Sequence, residues 1–270
     1  NESEVSNAWS SNGSYEKLSL DSKYAYDNDD DDEAHLLNVN IFAYNDQASI
    51  KTAIENQGAV GINYYSSDPS TYYNSTYNSY YCNTTTESDH AVAVVGWDDN
   101  FSASHFNSTP SGNGAWLVRN SWTTDSDSSY YAYFWLSYYD KSLYKNNNNV
   151  YSFEFGKESD YDNNYQYDGS YLSYPFSNCS TMANVFTVKA AAQEEVDAVQ
   201  LTTSGTNVGY TIQIYQSPTS TTNPMSGTLI SSSTTAGTIA YPGVHTISLA
   251  SPIVFSSGTK YAVVVTVNKP

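Results

Sequence analysis

His90 heads an apolar run, Ala91-Val92-Ala93-Val94-Val95-Gly96-Trp97, and thirty positions later Asn120-Ser121-Trp122 follows a second one, Ala115-Trp116-Leu117-Val118-Arg119. An imidazole changes charge near neutral pH and can move protons there. A carboxamide can fix its tautomer and ring orientation without adding charge, and an indole laid over that bond keeps water from competing for it. Together these types make the base half of a site built around a thiol: a neighbouring imidazolium favours the thiolate, the form that attacks. Asp89, next to the histidine, could add negative potential where a substrate amide would lie.

The thiol is not where such a site needs it. Cys82 sits in the polar stretch Ser79-Tyr80-Tyr81-Cys82-Asn83-Thr84, eight residues before His90, with no helix behind it to supply a dipole or oxyanion-hole amides. Cys179, in Asn178-Cys179-Ser180, falls in a different part of the chain. Two cysteines make neither a disulfide framework nor a zinc site, which leaves two isolated thiols or a single bridge between domains.

The elements that must carry His90 and Asn120 follow from patterning. A short strand is expected over 36–42. Asp46 then reads as a helix N-cap, Ile50, Ala53 and Ile54 recur at helical spacing, and Gly58 supplies the left-handed residue past the end. Residues 59–64 read as a buried strand and 65–88 as a long loop rich in Tyr, Ser, Asn and Thr. The His90 strand, a polar loop over 98–114 with Gly112 and Gly114, and strands over 115–119 and 132–138 come next. Strands in tandem suggest an antiparallel sheet on which base and orienter can meet.

Residues 145–149, Lys145 and four asparagines, read as a polar linker. Beyond it the apolar period is two: Tyr151/Phe153/Phe155, Val185/Phe186/Val188, Val196/Val199/Leu201, Tyr210/Ile212/Ile214, then 246–249 and 261–267. Turn residues separate these runs about every ten positions, the signature of a β-sandwich. The stretch 189–195 reads as a turn between strands. The expected architecture is an α+β domain with an antiparallel sheet over 1–148 and an all-β sandwich of jelly-roll type over 149–270.

Composition narrows the partners. The 270 residues carry 28 acidic and 10 basic side chains, a formal net charge of −18, which repels nucleic acid and anionic membranes. No apolar run of about eighteen residues is present to cross a bilayer. Few lysines alongside 27 tyrosines and abundant Ser, Thr and Asn suit a secreted or cell-surface protein. The start, Asn1-Glu2-Ser3-Glu4, reads as internal, so a missing signal peptide carries no information. The acidic run 27–33 lacks the glycine and spacing of a calcium loop. Asn-x-Ser/Thr triplets, those at Asn74, Asn83 and Asn107 among them, follow from composition. His35, His105 and His245 read as surface residues.

The motifs carry a resemblance. Asp89-His90-Ala91-Val92 with Val95-Gly96-Trp97, then Trp116 through Trp122, then Tyr133-Phe134 and Ser137-Tyr138, resemble the C-terminal half of a papain-like cysteine peptidase over residues 36–144. The phrases Val95-Gly96-Trp97-Asp98-Asp99-Asn100 and Tyr138-Tyr139-Asp140 resemble a bacterial and archaeal surface branch of that family, in which a lectin-like β-sandwich follows the peptidase. Residues 150–270 look like that domain. The resemblance implies His90 as general base and acid, Asn120 as orienter and Trp122 as cover, acting on a protein or peptide substrate with no cofactor required.

The sequence departs from the family in three places. The nucleophilic cysteine heading a long helix and the oxyanion-hole glutamine before it are absent, so a segment bearing them becomes an expected partner. Thr123 stands where glycine usually follows Asn-Ser-Trp, and the loop 98–114 stretches the His–Asn spacing. Whether the chain belongs to an active enzyme therefore stays open. One reading is the C-terminal part of a secreted or surface endopeptidase; the other is an inactive adhesin or glycan-binding module on an inherited scaffold. An intact orienter and indole favour the first.

In the sandwich, Tyr161, Tyr165, Tyr167 and Tyr171 with Asp160, Asp162 and Asp168 could bind a glycan, or the tyrosines could simply pack. The oxygens of Asp160, Asp162 and Asp168 could hold a structural calcium ion.

Overall fold

The computed structural model describes residues 34–121, 132–147, 149–167, 179–220 and 222–268. The acidic run 27–33, Trp122, Asp168 and Tyr171 lie outside the described residues. Two compact units divide the chain, one over 38–154 and one combining 155 onward with the residues before 38.

The first unit is a sheet with a helix against it. Strand β1 (Ala34–Ala43) leads to helix α1 (Gln47–Gln57), whose N-terminus is capped by Asp46 accepting from Ser49 N at 3.2 Å. It stops at Gly58, which adopts φ +88° and donates its N–H to the Ile54 carbonyl at 2.8 Å. The helix buries Ile50, Ala53 and Ile54, each isoleucine contributing about 1.5–3 kcal/mol of transfer free energy. Strands β2 (Val60–Tyr64), β5 (His90–Asp98), β6 (Ala115–Arg119) and β7 (Tyr133–Ser137) pair antiparallel in that order, as the tandem pattern suggested.

The loop expected over 65–88 holds more structure than its composition shows. Asp68 caps a four-residue helix, α2 (Pro69–Tyr72), by accepting from Thr71 N at 3.1 Å. Two short strands follow, β3 (Tyr73–Asn74) and β4 (Ser79–Tyr80), and β4 pairs parallel with β7. Elements this short carry no readable hydrophobic period.

The linker expected over 145–149 is not one. Residues Lys141–Asn147 form a 3-10 helix with Leu143 fully buried, and β8 (Asn149–Lys157) begins directly after it. Tyr151 of β8 pairs with Gly61 of β2, so the alternation at Tyr151 and Phe153 belongs to the first unit's sheet rather than to the sandwich. Asparagine composition hid this, because the strand's hydrogen bonds are made by backbone. Within the first unit the order is β1-β8-β2-β5-β6-β7-β4-β3.

The second unit is a sandwich around one core. One sheet pairs β10 (Gln193–Thr203) with β14 (Gly243–Ser256), and the Leu36 and Leu37 carbonyls of β1 accept from Gln200 and Thr246 beside it. In the other, β11 (Val208–Gln216) has β12 (Thr228–Leu229) and β13 (Thr235–Ile239) on one side and β15 (Lys260–Val267) then β9 (Thr181–Thr187) on the other. Leu201 and Phe255 from the first sheet and Ile212, Ile214 and Val265 from the second share one buried cluster. The turn expected over 189–195 ends earlier, since Gln193–Glu195 already pair in β10.

Candidate active site

Strand register brings the two motifs together. Ala93 pairs with Arg119, which carries Asn120 opposite Val92; the two-residue period of a strand then puts His90 on the same face, one diagonal step away. There His90 Nε2 donates to Asn120 Oδ1 at 2.9 Å. Asn120 is 2% exposed, whereas His90 is half-buried at the sheet's end. A β-bulge between Val94 and Gly96 shifts the register further along β5 without touching the His90 end. The neighbouring Ser121 hydroxyl donates to the Ala91 carbonyl at 3.2 Å.

The imidazole rests on a ring that sequence reading passed over. Tyr64 is the direct partner of His90 in the β2–β5 ladder, 2% exposed, and meets it edge-on at 5.8 Å between centroids. Phe134 and Tyr80 pack against Tyr64 at 5.5 and 5.2 Å. Only the register of β2 against β5 could have revealed Tyr64. Trp122, the expected cover, lies outside the described residues.

Asp89 is turned to its own chain. It accepts from Ser66 N at 2.7 Å, from Ser66 Oγ at 2.9 Å and from the Ser67 hydroxyl. Partial burial pushes its carboxyl up, but these donors outweigh burial and hold it below the usual carboxylate range. Its oxygens fix the 65–67 turn beside His90, a different task from the substrate contact expected of it.

Cys82 is placed as an inert thiol. It is fully buried and free, with Sγ 3.3 Å from the Thr84 carbonyl, and burial pushes the thiol up despite that contact. Cys179 is also a free thiol, and exposed, so the bridge alternative falls.

Behind Cys82 lies Asp140, which the sequence did not single out as a titrating group. It is fully buried and accepts from Cys82 N at 2.7 Å, Ser142 N at 3.0 Å and Ser142 Oγ at 2.6 Å. Burial raises its carboxyl to about 7, with those donors acting the other way. Ser142 Oγ in turn accepts from Tyr65 N at 3.0 Å, so Asp140 ties together the segments after β4, β7 and β2.

The oxygen-rich segment of the second unit is mostly engaged in its own fold. Asp160 accepts from Lys157 N at 2.8 Å, capping a 3-10 turn, while Asp162 is exposed. Among the described residues no group of three or more His, Cys, Asp or Glu side chains is arranged to hold a metal ion. Tyr165 packs beside Phe186 and Tyr261 and donates to Glu194, and Tyr161 meets His35 edge-on. Of the described tyrosines in this segment, Tyr161, Tyr165 and Tyr167, only Tyr167 is exposed, 45% accessible, with its ring stacked on Phe186 at 5.1 Å.

The other histidines pack rather than stand free at the surface. His105 stacks on Tyr77 at 3.9 Å, and His245 bonds the Tyr241 carbonyl at 3.0 Å. Burial pushes His245 down, against that bond.

This arrangement can orient an imidazole and move a proton; its family agrees. The sequence profile of the papain family cysteine protease matches residues 3–153, and that of a lectin-like domain matches residues 164–270. Among curated proteins no sequence matches significantly. Among solved structures, a single-substitution variant of the clostridial cysteine protease Cwp84 after propeptide cleavage is 30% identical, with TM-score 0.69 over 86% of this chain and 55% of the other. The cysteine protease and lectin-like domains of Cwp84, a surface layer associated protein of Clostridium difficile, are 25% identical, with TM-score 0.64 over 87% of this chain and 50% of the other. The chain thus spans about half the length of these solved relatives. With the fold, the order of elements and both matched regions in agreement, this chain belongs to the papain family of cysteine proteases and joins its protease domain to a lectin-like domain.

Proposed function

We propose that the chain supplies the base and orienter of a cell-surface cysteine endopeptidase, and that the thiol and the oxyanion-hole glutamine come from polypeptide outside these 270 residues. The 2.9 Å bond from His90 Nε2 to Asn120 Oδ1 carries this reading. It commits Nε2 to the orienter, so Nδ1 is the ring nitrogen that would meet a thiol. His90 would take the thiol proton, and the thiolate would attack the scissile carbonyl carbon. As the tetrahedral intermediate collapses, His90 would hand that proton to the leaving amine, leaving a thioester. Water, losing a proton to the same imidazole, would then hydrolyse the thioester and restore the thiol. Asn120 holds the ring in line through both steps.

A surface location is supported by the charge of −18 and by the surface-layer association of Cwp84. The lectin-like domain would hold the enzyme against a glycan or cell-wall polymer, with the exposed Tyr167 ring as the first stacking candidate. A structural calcium ion near Asp162 and Asp168 belongs to the same proposal. Asp160 contributes less to it, because Oδ2 already bonds backbone.

The test is reconstitution. The 270-residue chain should not hydrolyse a fluorogenic peptide alone; joined to a thiol-bearing segment encoded ahead of it, it should. His90→Ala in the joined protein should lower kcat roughly 10²–10⁴-fold, the usual contribution of a positioned acid-base group. Turnover by the chain alone, or full activity of the His90→Ala protein, would refute the assignment. An encoded upstream segment with no thiol would favour the adhesin reading instead.

A further inference from the structure

Arg119 has no role in the chemistry above, yet it grips the residue that does. Its Nη1 donates to the Asn120 carbonyl at 2.6 Å and to the Ala132 carbonyl at 3.4 Å. The Ala132 carbonyl also accepts from Asn120 N at 3.0 Å. The guanidinium lies over the Tyr133 ring, 5.3 Å from its centroid. Both peptide groups of Asn120 are therefore held, its N–H by Ala132 and its carbonyl by Arg119. Peptide planes are rigid, so fixing those two groups fixes both soft dihedrals of the residue between them. Backbone dihedrals in turn restrict which side-chain rotamers a residue can adopt.

We infer that Arg119 is a positioning residue: by clamping the Asn120 and Ala132 carbonyls it sets the backbone that aims Asn120 Oδ1 at His90 Nε2. The inference rests on the proposed peptidase reading and deepens it. A lysine would not serve equally. Its ammonium is a point charge on a flexible stem, without the rigid planar group that lies over Tyr133 while Nη1 reaches both carbonyls. The bonds are charge-assisted and join the residue after β6 to the residue before β7, which is why the effect should reach the orienter and not stop at the surface.

The experiment reads the His90 Nε2 proton directly, in the 270-residue chain with ¹⁵N-labelled histidine. Its resonance is identified by its loss in His90→Gln, and its exchange with water is compared with that of backbone amides. Asn120→Ala is the control that removes the acceptor. Arg119→Met, which keeps an apolar stem, should speed exchange of this proton about tenfold relative to the backbone amides, equivalent to about 1.4 kcal/mol in the bond. Arg119→Lys should restore less than half of the protection. If Arg119→Met does not fold, Arg119→Lys decides by the same comparison, a selective rise supporting the clamp. Fast exchange in Asn120→Ala but unchanged exchange in the Arg119 variants overturns the clamp and leaves the His90–Asn120 pair standing. A rise matched by all backbone amides also overturns it, since that is only lost stability. Exchange as fast in the unsubstituted chain as in Asn120→Ala would sink the pair itself, and the peptidase reading with it.

Discussion

Substituting Asp140 by asparagine should remove a pH dependence from the first unit. The carboxyl is fully buried and raised to about 7, against roughly 3.9 in an unfolded chain. Below about pH 4 it is protonated in both states and imposes no penalty. As pH rises the unfolded chain ionises first, so the native state binds more protons and stability falls by about 1.4 kcal/mol per unit. The loss is complete just above the folded value, at roughly 4 kcal/mol, an order-of-magnitude figure.

Asparagine cannot titrate, but it offers one acceptor oxygen to groups that now have two. If that oxygen takes the Ser142 donors, its amide faces Cys82 N–H, donor against donor, at about 1–3 kcal/mol. Asp140→Asn should therefore match the parent near pH 5 and exceed it by about 2 kcal/mol near pH 7.5. Urea unfolding followed by tryptophan fluorescence reads chiefly this unit, because four of the five tryptophans, Trp97, Trp116, Trp122 and Trp135, lie within 38–154. The carboxyls of Asp68, Asp89 and Asp99 are held below their ordinary values, act below about pH 4, and cancel in the comparison. A stability difference that stays constant from pH 5 to 7.5 would refute the argument.

Two further outcomes follow from the same structure. One thiol per folded chain, Cys179, should react quickly with a disulfide reagent, and Cys82 should react only on unfolding; two fast thiols would contradict the burial of Cys82. Gly114→Ala should cost about 3 kcal/mol, because φ is +113° and a Cβ there would lie 2.4 Å from the Tyr138 ring. A melting temperature unchanged by that substitution would show that the turn into β6 relaxes freely.

Much of the scaffold could be read from residue types. Helix α1 was legible from Asp46, the 3.6-residue spacing of Ile50, Ala53 and Ile54, and Gly58, since capping and periodicity are local. The β2, β5, β6 and β7 strands were legible because a buried strand must be apolar. What composition concealed was backbone pairing. The asparagines at 146–149 looked like a linker, yet 146 and 147 end the 3-10 helix that buries Leu143, Asn149 opens β8, and the strand's first half joins the first unit's sheet. Asp89 shows the same limit at the site. Adjacency to His90 suggested a role towards substrate, but two serines that are remote in sequence and close in space occupy its oxygens.

The sequence by itself determined the chemistry on offer: an imidazole, a carboxamide, and no thiol in a reactive setting. That follows because side-chain chemistry belongs to the residue and apolar periodicity to its near neighbours. Only the tertiary structure decided that His90 and Asn120 meet at 2.9 Å, that Tyr64 meets the imidazole edge-on, and that Arg119 grips the orienter's backbone. Those facts depend on the register between strands, and a shift of one residue would turn each of these side chains to the other face of the sheet.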